Sequence, residues 1–282
     1  MTPRAVTTRE MARFVREVEA RLIEMAHGIP RHDAEKLRAY HGSGIPHLGL
    51  AVPVQRTALR QRYGFSKLPA NEQLPIWDAV WRQGRYYETK SQALYCCAAL
   101  RKPDDLVRAW PIVVSWIELV DNWDISDELS AIYSRILEVA PDKVYPVLCC
   151  WNRSNNPWKR RQSVLALLYY SRSRRSVLSA GKIFPLINRL VDDKDRFVQT
   201  AIGWTLREAL TPYPAETAAF IEEFATRLSA IAFAGAASKL PPTVRMRLKA
   251  SGPWLGSRAR LLHNNRAASE LWARRGRGKS QS

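Results

Sequence analysis

Apolar residues recur at spacings of three and four along most of the chain, and the pattern repeats about every 35 residues. Such spacings put apolar side chains on one face of an α-helix, whereas a half-buried strand needs strict alternation. The markers of the period are Gln92, Asp127 and Gln162, spaced 35 apart, and Tyr87, Trp123 and Trp158, spaced 36 and 35 apart. A further copy, DDKDRFVQTAIGWTL, follows at an offset of 39. Two helices per unit of this length predict a HEAT-like helical repeat solenoid, whose stacked helix pairs form a concave surface.

The expected fold class is all-α, because no segment has convincing strand periodicity. Thr7 and Glu10 fit a capping box that opens a first helix reaching about Met25. Apolar residues make up 46% of the 282 residues, enough to build a sizeable core. Further helices are predicted at 34–41, from 54 onward, and at 72–83, 88–100, 104–119, 125–139, 142–152, 158–171, 180–191, 195–209, 214–233 and 241–250.

The charge balance indicates a polyanionic partner. Lys and Arg number 44 against 26 Asp and Glu, which gives a formal net charge of +18. Phosphates attract such a surplus and release counterions on contact, so double-stranded DNA is the favoured partner. A membrane surface would call for a basic amphipathic anchor helix, and a basic soluble protein without a polyanionic partner is the remaining alternative.

The charge is concentrated towards the C-terminus. From Leu240 to Ser282 the chain holds ten Lys and Arg residues and one acid, Glu270. The last residues, ARRGRGKSQS, have too little apolar content to form a core. We therefore expect a HEAT-like domain over residues 1–250 and a basic, partly disordered C-terminal extension over residues 251–282. The extension either attracts phosphates nonspecifically or has no role.

The cysteines and the N-terminus indicate a reducing, cytoplasmic setting, with the protein associated with the nucleoid. Cys96-Cys97 and Cys149-Cys150 are adjacent pairs in apolar helical segments. Helical neighbours point about 100° apart, so core packing is favoured over a metal or redox role. The N-terminal segment MTPRAVTTREMARF has no apolar signal region, and no run of 18 uncharged apolar residues occurs.

One group of residues could carry chemistry. Trp123 and Asp127 stand at i and i+4 in DNWDISDEL, so a helix would place them on one face. Tryptophan and arginine recur one and two units later, as Trp158 with Arg161 and as Trp204 with Arg207. Tryptophan faces beside a carboxylate would suit an electron-poor, cationic group held against DNA. The alternative is structural, with core tryptophans and an aspartate that caps a helix.

Three segments resemble the bacterial DNA alkylation repair glycosylases of the AlkD family. They are WDISD at 123–127, WKRRQSVLAL at 158–167 and FVQTAIGWTLRE at 197–208, of which the last is the most specific. Weaker similarities are GLAVPVQRTALR at 49–60 and the tyrosine of KLRAYHGSG, Tyr40. The resemblance covers roughly residues 15–235 and leaves out the C-terminal tail.

The resemblance implies a monofunctional DNA glycosylase that hydrolyses the N-glycosidic bond of cationic N3- or N7-alkylated purines in base excision repair, without flipping the base. It implies a catalytic Asp127, with Trp123 and Trp204 flanking the lesion. Arg161, with Lys159 and Arg160 beside it, is expected to hold phosphate, and Tyr40 to contact DNA. The implied protein acts as a monomer without a metal or cofactor.

Three alternatives remain open. The chain could bind distorted DNA without chemistry, although an acid at position 127 would weaken simple phosphate binding. It could be a protein–protein scaffold, which is a common use of helical solenoids. Within the glycosylase class, it could remove bulky minor-groove adducts, since the range of lesions depends on the width of the cleft.

Overall fold

The computed structural model of the protein describes residues 6–251. In this part of the chain every regular element is helical, so the all-α prediction is confirmed. The α-helices are α1 (Thr8–Met25), α2 (Arg31–His41), α3 (Val52–Arg60), α4 (Ala70–Gln83), α5 (Tyr87–Ala99), α6 (Pro103–Val113), α7 (Trp123–Val139), α8 (Pro141–Trp151), α9 (Pro157–Leu165), α10 (Ala180–Arg189), α11 (Arg196–Ala209), α12 (Pro214–Glu223), α13 (Ala230–Ala236) and α14 (Pro242–Ser251). Short 3-10 helices span Val114–Leu119, Ser171–Ser173 and Ala237–Lys239.

Local capping chemistry explains several helix starts. The capping box at Thr7 and Glu10 is present, as predicted. Asn122 caps α7 by accepting a hydrogen bond from the Ile125 amide, so α7 begins at Trp123. The prediction of one helix over 214–233 is wrong. Ser229 accepts a hydrogen bond from the Ala232 amide and starts α13 as a separate helix.

The helices alternate between two layers. From α5 onward the odd-numbered helices α5, α7, α9, α11 and α13 pack each against the next, and the even-numbered helices α4, α6, α8, α10 and α12 each pack against an odd-numbered neighbour. This arrangement is consistent with a helical repeat fold. The curved solenoid and its concave basic face remain predictions.

Buried glutamines mark the repeat that the sequence period indicated. The Gln92 side chain donates to the Gln55 carbonyl at 3.0 Å, and the Gln162 side chain donates to the Ser126 carbonyl at 2.6 Å. Each glutamine therefore ties its helix to the odd-numbered helix of the unit before. Asp127, the remaining marker of the period, is 16% exposed at its side chain. It pairs with Arg161, which belongs to the following unit and not to the unit before.

The four cysteines differ in burial. Core packing was expected for all four cysteines; Cys97 is buried, Cys96 and Cys149 are half-buried, and Cys150 is exposed, so the expectation is wrong for Cys150.

Except for Ser251, the predicted C-terminal extension lies outside the described residues. Among residues 6–251, none of the helices has the length and apolar character needed to cross a membrane.

Candidate active site

Asp127 is held by a buried arginine from the next unit. The Arg161 guanidinium donates from Nη2 to Asp127 Oδ1 at 2.5 Å. Its Nε donates to Ser126 Oγ at 3.1 Å, and its Nη1 donates to the Phe197 carbonyl at 2.5 Å. Arg161 on α9 thereby connects α7 to α11. Its side chain is only 2% exposed, so a contact between Arg161 and phosphate would require the guanidinium to leave these acceptors.

Trp123 forms one side of the site, one helical turn before Asp127. The Tyr40 ring packs edge-on against it, with ring centroids 5.4 Å apart and planes at 86°. The Trp123 indole Nε1 donates to the Tyr40 carbonyl at 3.3 Å. His41 packs edge-on against the same indole at 5.6 Å. Tyr40 is exposed and His41 is buried. Trp123 therefore packs against one ring at the protein surface and one ring in the interior.

Two histidines and a tyrosine support Trp123 from behind. His41 Nδ1 lies 2.9 Å from His47 Nε2, and His47 Nδ1 lies 2.9 Å from the Ile45 carbonyl. Burial lowers the pKa of His47 to about 4, so its ring is neutral near pH 7. A neutral His47 that donates from Nδ1 must accept at Nε2, so His41 donates from Nδ1. The His47 ring stacks on Tyr87 at 4.3 Å, and the Tyr87 hydroxyl donates to Asp124.

The loop between α2 and α3 is anchored by two carboxylates. Asp121, just before α7, accepts hydrogen bonds from Ser43 Oγ and from the Gly44 amide. Glu88 on α5 accepts from the backbone amides of Leu48, Gly49 and Leu50. Burial raises the pKa of Glu88, while these amide hydrogen bonds act to lower it. The anchored loop fixes the end of α2, which carries Tyr40.

Trp204 forms the other side of the site. Its indole stacks on Tyr169 with centroids 5.4 Å apart and planes at 15°, and the Arg207 guanidinium lies 4.8 Å from its ring. Burial raises the pKa of the Tyr169 hydroxyl well above its usual value, and the negative charge of Asp127 raises it further. Trp204 lies two helical turns after Phe197 on α11, and the Phe197 carbonyl accepts from the same arginine that holds Asp127, so Arg161 connects the carboxylate to the helix of Trp204.

The remaining candidates take part in ion pairs or core contacts. Lys159 Nζ lies 2.6 Å from Glu118 Oε1. Arg160 Nε lies 2.6 Å from Asp193 Oδ2, and Arg160 also donates to two backbone carbonyls. Trp158 packs on Phe197 with ring centroids 4.9 Å apart. Acidic partners thus offset the charges of Lys159 and Arg160.

Sequence reasoning missed the aromatic residues that support the two tryptophans. Two signals could have found them. Tyr87 was a marker of the repeat, one unit before Trp123, and the pair Tyr169-Tyr170 comes shortly after the segment WKRRQSVLAL. His41 and His47 had no comparable signal, because their contacts with Trp123 and Tyr87 cross between helices.

The structure is all-helical, in an arrangement consistent with a helical repeat fold, and a buried arginine holds its candidate carboxylate one helical turn from Trp123. The chain belongs to the family described as DNA alkylation repair enzyme, whose model matches residues 19–240. A solved structure, described as a predicted DNA alkylation repair enzyme from Enterococcus faecalis, has the same fold. It matches with a TM-score of 0.61 and 18% identity, over 75% of this chain and 96% of that chain. The curated proteins include no match. Family membership indicates an enzyme that repairs alkylated DNA.

Proposed function

We propose that the protein is a monofunctional DNA glycosylase that hydrolyses the N-glycosidic bond of cationic N3- or N7-alkylated purines. Its substrates would be 3-methyladenine, 7-methylguanine or bulkier adducts in double-stranded DNA, and it would act as a monomer. The observation that carries the proposal is the Asp127 carboxylate, which Arg161 holds one helical turn from Trp123 and links to α11, the helix that carries Trp204.

The proposed reaction needs a carboxylate but no second group that protonates the leaving base. An N3- or N7-alkylated purine is already positively charged, so it leaves as a neutral base when the C1′–N bond breaks and its electron pair goes to the base. The sugar then develops oxocarbenium character, as in glycoside hydrolysis. A fixed negative charge stabilises this transition state, and the same carboxylate can orient the water that attacks C1′. The attacking water keeps one proton in the new C1′ hydroxyl and loses the other to solvent.

Burial of Arg161 favours a positioning role for this residue. Its three hydrogen bonds to Ser126, Phe197 and Asp127 fix the direction of the carboxylate relative to the rings. A group held in place before the reaction needs no reorganisation when charge develops on the sugar. We therefore assign Arg161 to orienting Asp127, and Trp123 and Trp204 to packing against the sugar and backbone of the damaged nucleotide. Tyr40, Lys159 and Arg160 are the proposed DNA contacts beside them, with phosphate replacing Glu118 and Asp193 as the partners of the two cations.

We also propose that the damaged base stays in the duplex. Enzymes that flip a base read it in a closed pocket. Here Tyr40 exposes 39% of its surface next to Trp123, so the aromatic ring at this edge is available to a DNA groove or backbone.

The decisive experiment is incubation of the protein with duplex DNA carrying 7-methylguanine, followed by chromatographic detection of free base. The wild-type protein should release 7-methylguanine and leave the strand intact, and the Asp127→Asn variant should release little. A non-catalytic protein that binds damaged DNA would retain the duplex and release no base. That outcome would replace the glycosylase proposal with the binding alternative.

A further inference from the structure

Tyr170 adopts a backbone conformation that a large side chain rarely takes. Its φ of 51° and ψ of 59° lie in the left-handed region. Within residues 6–251, only Arg62 and Tyr170 among the non-glycine residues have a positive φ. Steric clashes between Cβ and the backbone disfavour this conformation, which persists only where the surrounding structure enforces it. Such a residue is a candidate for function.

The turn that follows Tyr170 is firmly fixed to α11. The Ser171 amide donates to Glu208 Oε2 at 3.1 Å, and Ser171 Oγ donates to the Glu208 carbonyl at 2.9 Å. Lys239 Nζ lies 3.2 Å from the same carboxylate. The Tyr170 carbonyl accepts hydrogen bonds from the amide and the hydroxyl of Ser173. These bonds hold Tyr170 in its left-handed conformation.

The strained backbone places the Tyr170 ring at the surface beside Trp204. Tyr170 is 40% exposed, and its ring meets Trp204 edge-on, at 5.9 Å and 85°. On α7, the helix of Asp127, Trp123 is met in the same way by Tyr40, at 5.4 Å and 86°, and Tyr40 is 39% exposed. Each tryptophan of the site therefore has an exposed tyrosine standing edge-on against it.

The chain after Tyr170 is basic. Arg172 and Arg175 are exposed, and Arg174 forms an ion pair with Glu138. Exposed guanidinium groups next to an exposed aromatic ring fit a nucleic-acid backbone, whose phosphates attract the cations while the ring packs on sugar or base.

We propose that Tyr170 is a DNA-contacting residue, and that the units Tyr40–Trp123 and Tyr170–Trp204 hold the duplex on the two sides of the nucleotide that faces Asp127. The inference rests on the proposed glycosylase function for the place of the lesion. The binding of DNA by the Tyr170 ring can be measured without excision.

The test compares four substitutions by fluorescence anisotropy with a duplex that contains 7-methylguanine. Tyr170→Gly removes the ring and relieves the strain, since glycine adopts a positive φ without steric cost. Tyr170→Asn also tolerates this conformation and serves if the glycine variant does not fold. Tyr170→Phe keeps the ring. Tyr145→Ala is the control for the loss of a tyrosine ring elsewhere in the protein. Tyr145 is half-buried and lies on α8, in the even-numbered layer, whereas Trp123, Asp127 and Trp204 lie on odd-numbered helices.

The Gly and Asn variants should bind roughly ten-fold more weakly, as expected when one aromatic ring no longer packs on a base or sugar. Tyr170→Phe and Tyr145→Ala should bind within about two-fold of wild type, a smaller change than the removal of one stacking ring produces. The salt dependence of binding should not change in the Gly variant, because the ring carries no charge. A further variant, Tyr170→Ala, removes the ring and keeps the strain, so the unfolding temperature of Tyr170→Gly should equal or exceed that of Tyr170→Ala.

Wild-type affinity in Tyr170→Gly, or in Tyr170→Asn where the glycine variant is unfolded, would overturn the inference. So would an equal loss of affinity in Tyr145→Ala. If the wild-type protein binds the duplex but releases no base, the glycosylase proposal fails while the result for Tyr170 stands. If it releases base and Tyr170→Gly binds as tightly as wild type, only the role of Tyr170 fails. A wild-type protein that binds no duplex refutes both.

Discussion

Replacing Asp127 by Asn removes one negative charge beside a buried guanidinium and keeps the shape of the side chain. Two effects should follow from this change. The reacting sugar loses the charge that stabilises its transition state, and Arg161, with a side chain only 2% exposed, loses its charged partner. Activity and stability should therefore both fall, for different reasons.

The expected sizes come from the geometry. Loss of one preorganised electrostatic group costs roughly 10²–10³ in rate. Breaking a buried ion pair by removing one partner costs about 3–5 kcal/mol. The cost should be lower here, because the Asp127 side chain is 16% exposed and an Asn oxygen can still accept from Arg161. We expect a loss of about 2 kcal/mol in the free energy of unfolding, or roughly 4–8 °C in the unfolding temperature.

A second substitution separates the two effects. Adding Arg161→Met to Asp127→Asn removes the unpaired buried charge, and Ser126 Oγ keeps its hydrogen bond from Gln162 at 3.0 Å. Replacement of a buried ion pair by apolar groups is often close to neutral, so the double variant should recover about half of the lost stability. It should not recover activity. Urea denaturation and single-turnover release of 7-methylguanine measure the two quantities.

Glu138→Gln is the matched control. Glu138 lies three helical turns after Asp127 on the same helix, pairs with Arg174 and is also 16% exposed at its side chain. It should lose stability with little loss of excision. If Asp127→Asn releases 7-methylguanine at the wild-type rate, the catalytic assignment is wrong. If the double variant is less stable than Asp127→Asn, Arg161 and Asp127 are not coupled as the geometry indicates.

Three further predictions concern substrate, tail and pH. Cationic 7-methylguanine and 3-methyladenine should be released while neutral hypoxanthine and ethenoadenine survive, because only a charged base leaves without an acid; comparable single-turnover rates on both kinds of lesion would contradict the mechanism. Deletion of residues 274–282 should weaken binding to all duplexes alike and reduce the salt slope by up to about 0.9 for each phosphate that the tail neutralises, which a salt titration of Kd measures. Burial lowers the pKa of His47 to about 4 in the folded chain. The unfolded chain therefore binds more protons than the folded chain between about pH 6.5 and 4. The free energy of unfolding should fall as pH falls through this window and level off below it. Urea denaturation across this range should show a smaller fall for His47→Gln, and an unchanged fall would mean that His47 does not contribute.

The all-helical fold and the family could be predicted from local sequence. Apolar spacings of three and four define helices because they depend only on the geometry of one helix. Trp123 and Asp127 share a face for the same reason, being one turn apart on α7. The motif around Trp204 was specific enough to indicate DNA alkylation repair, and the family match supports that conclusion.

The partners of these residues depend on contacts between helices that are distant in sequence. The sequence predicts a phosphate contact for Arg161 but not its acceptors Asp127, Ser126 and Phe197, which packing brings from the neighbouring helices. No local pattern could show that, because the burial of one side chain is set by three successive units. The left-handed backbone of Tyr170 likewise follows from the anchoring of its turn on Glu208, 38 residues further along the chain. Periodicity thus determined which residues share a helix face, while the stacking of the units decided which of them meet at the site.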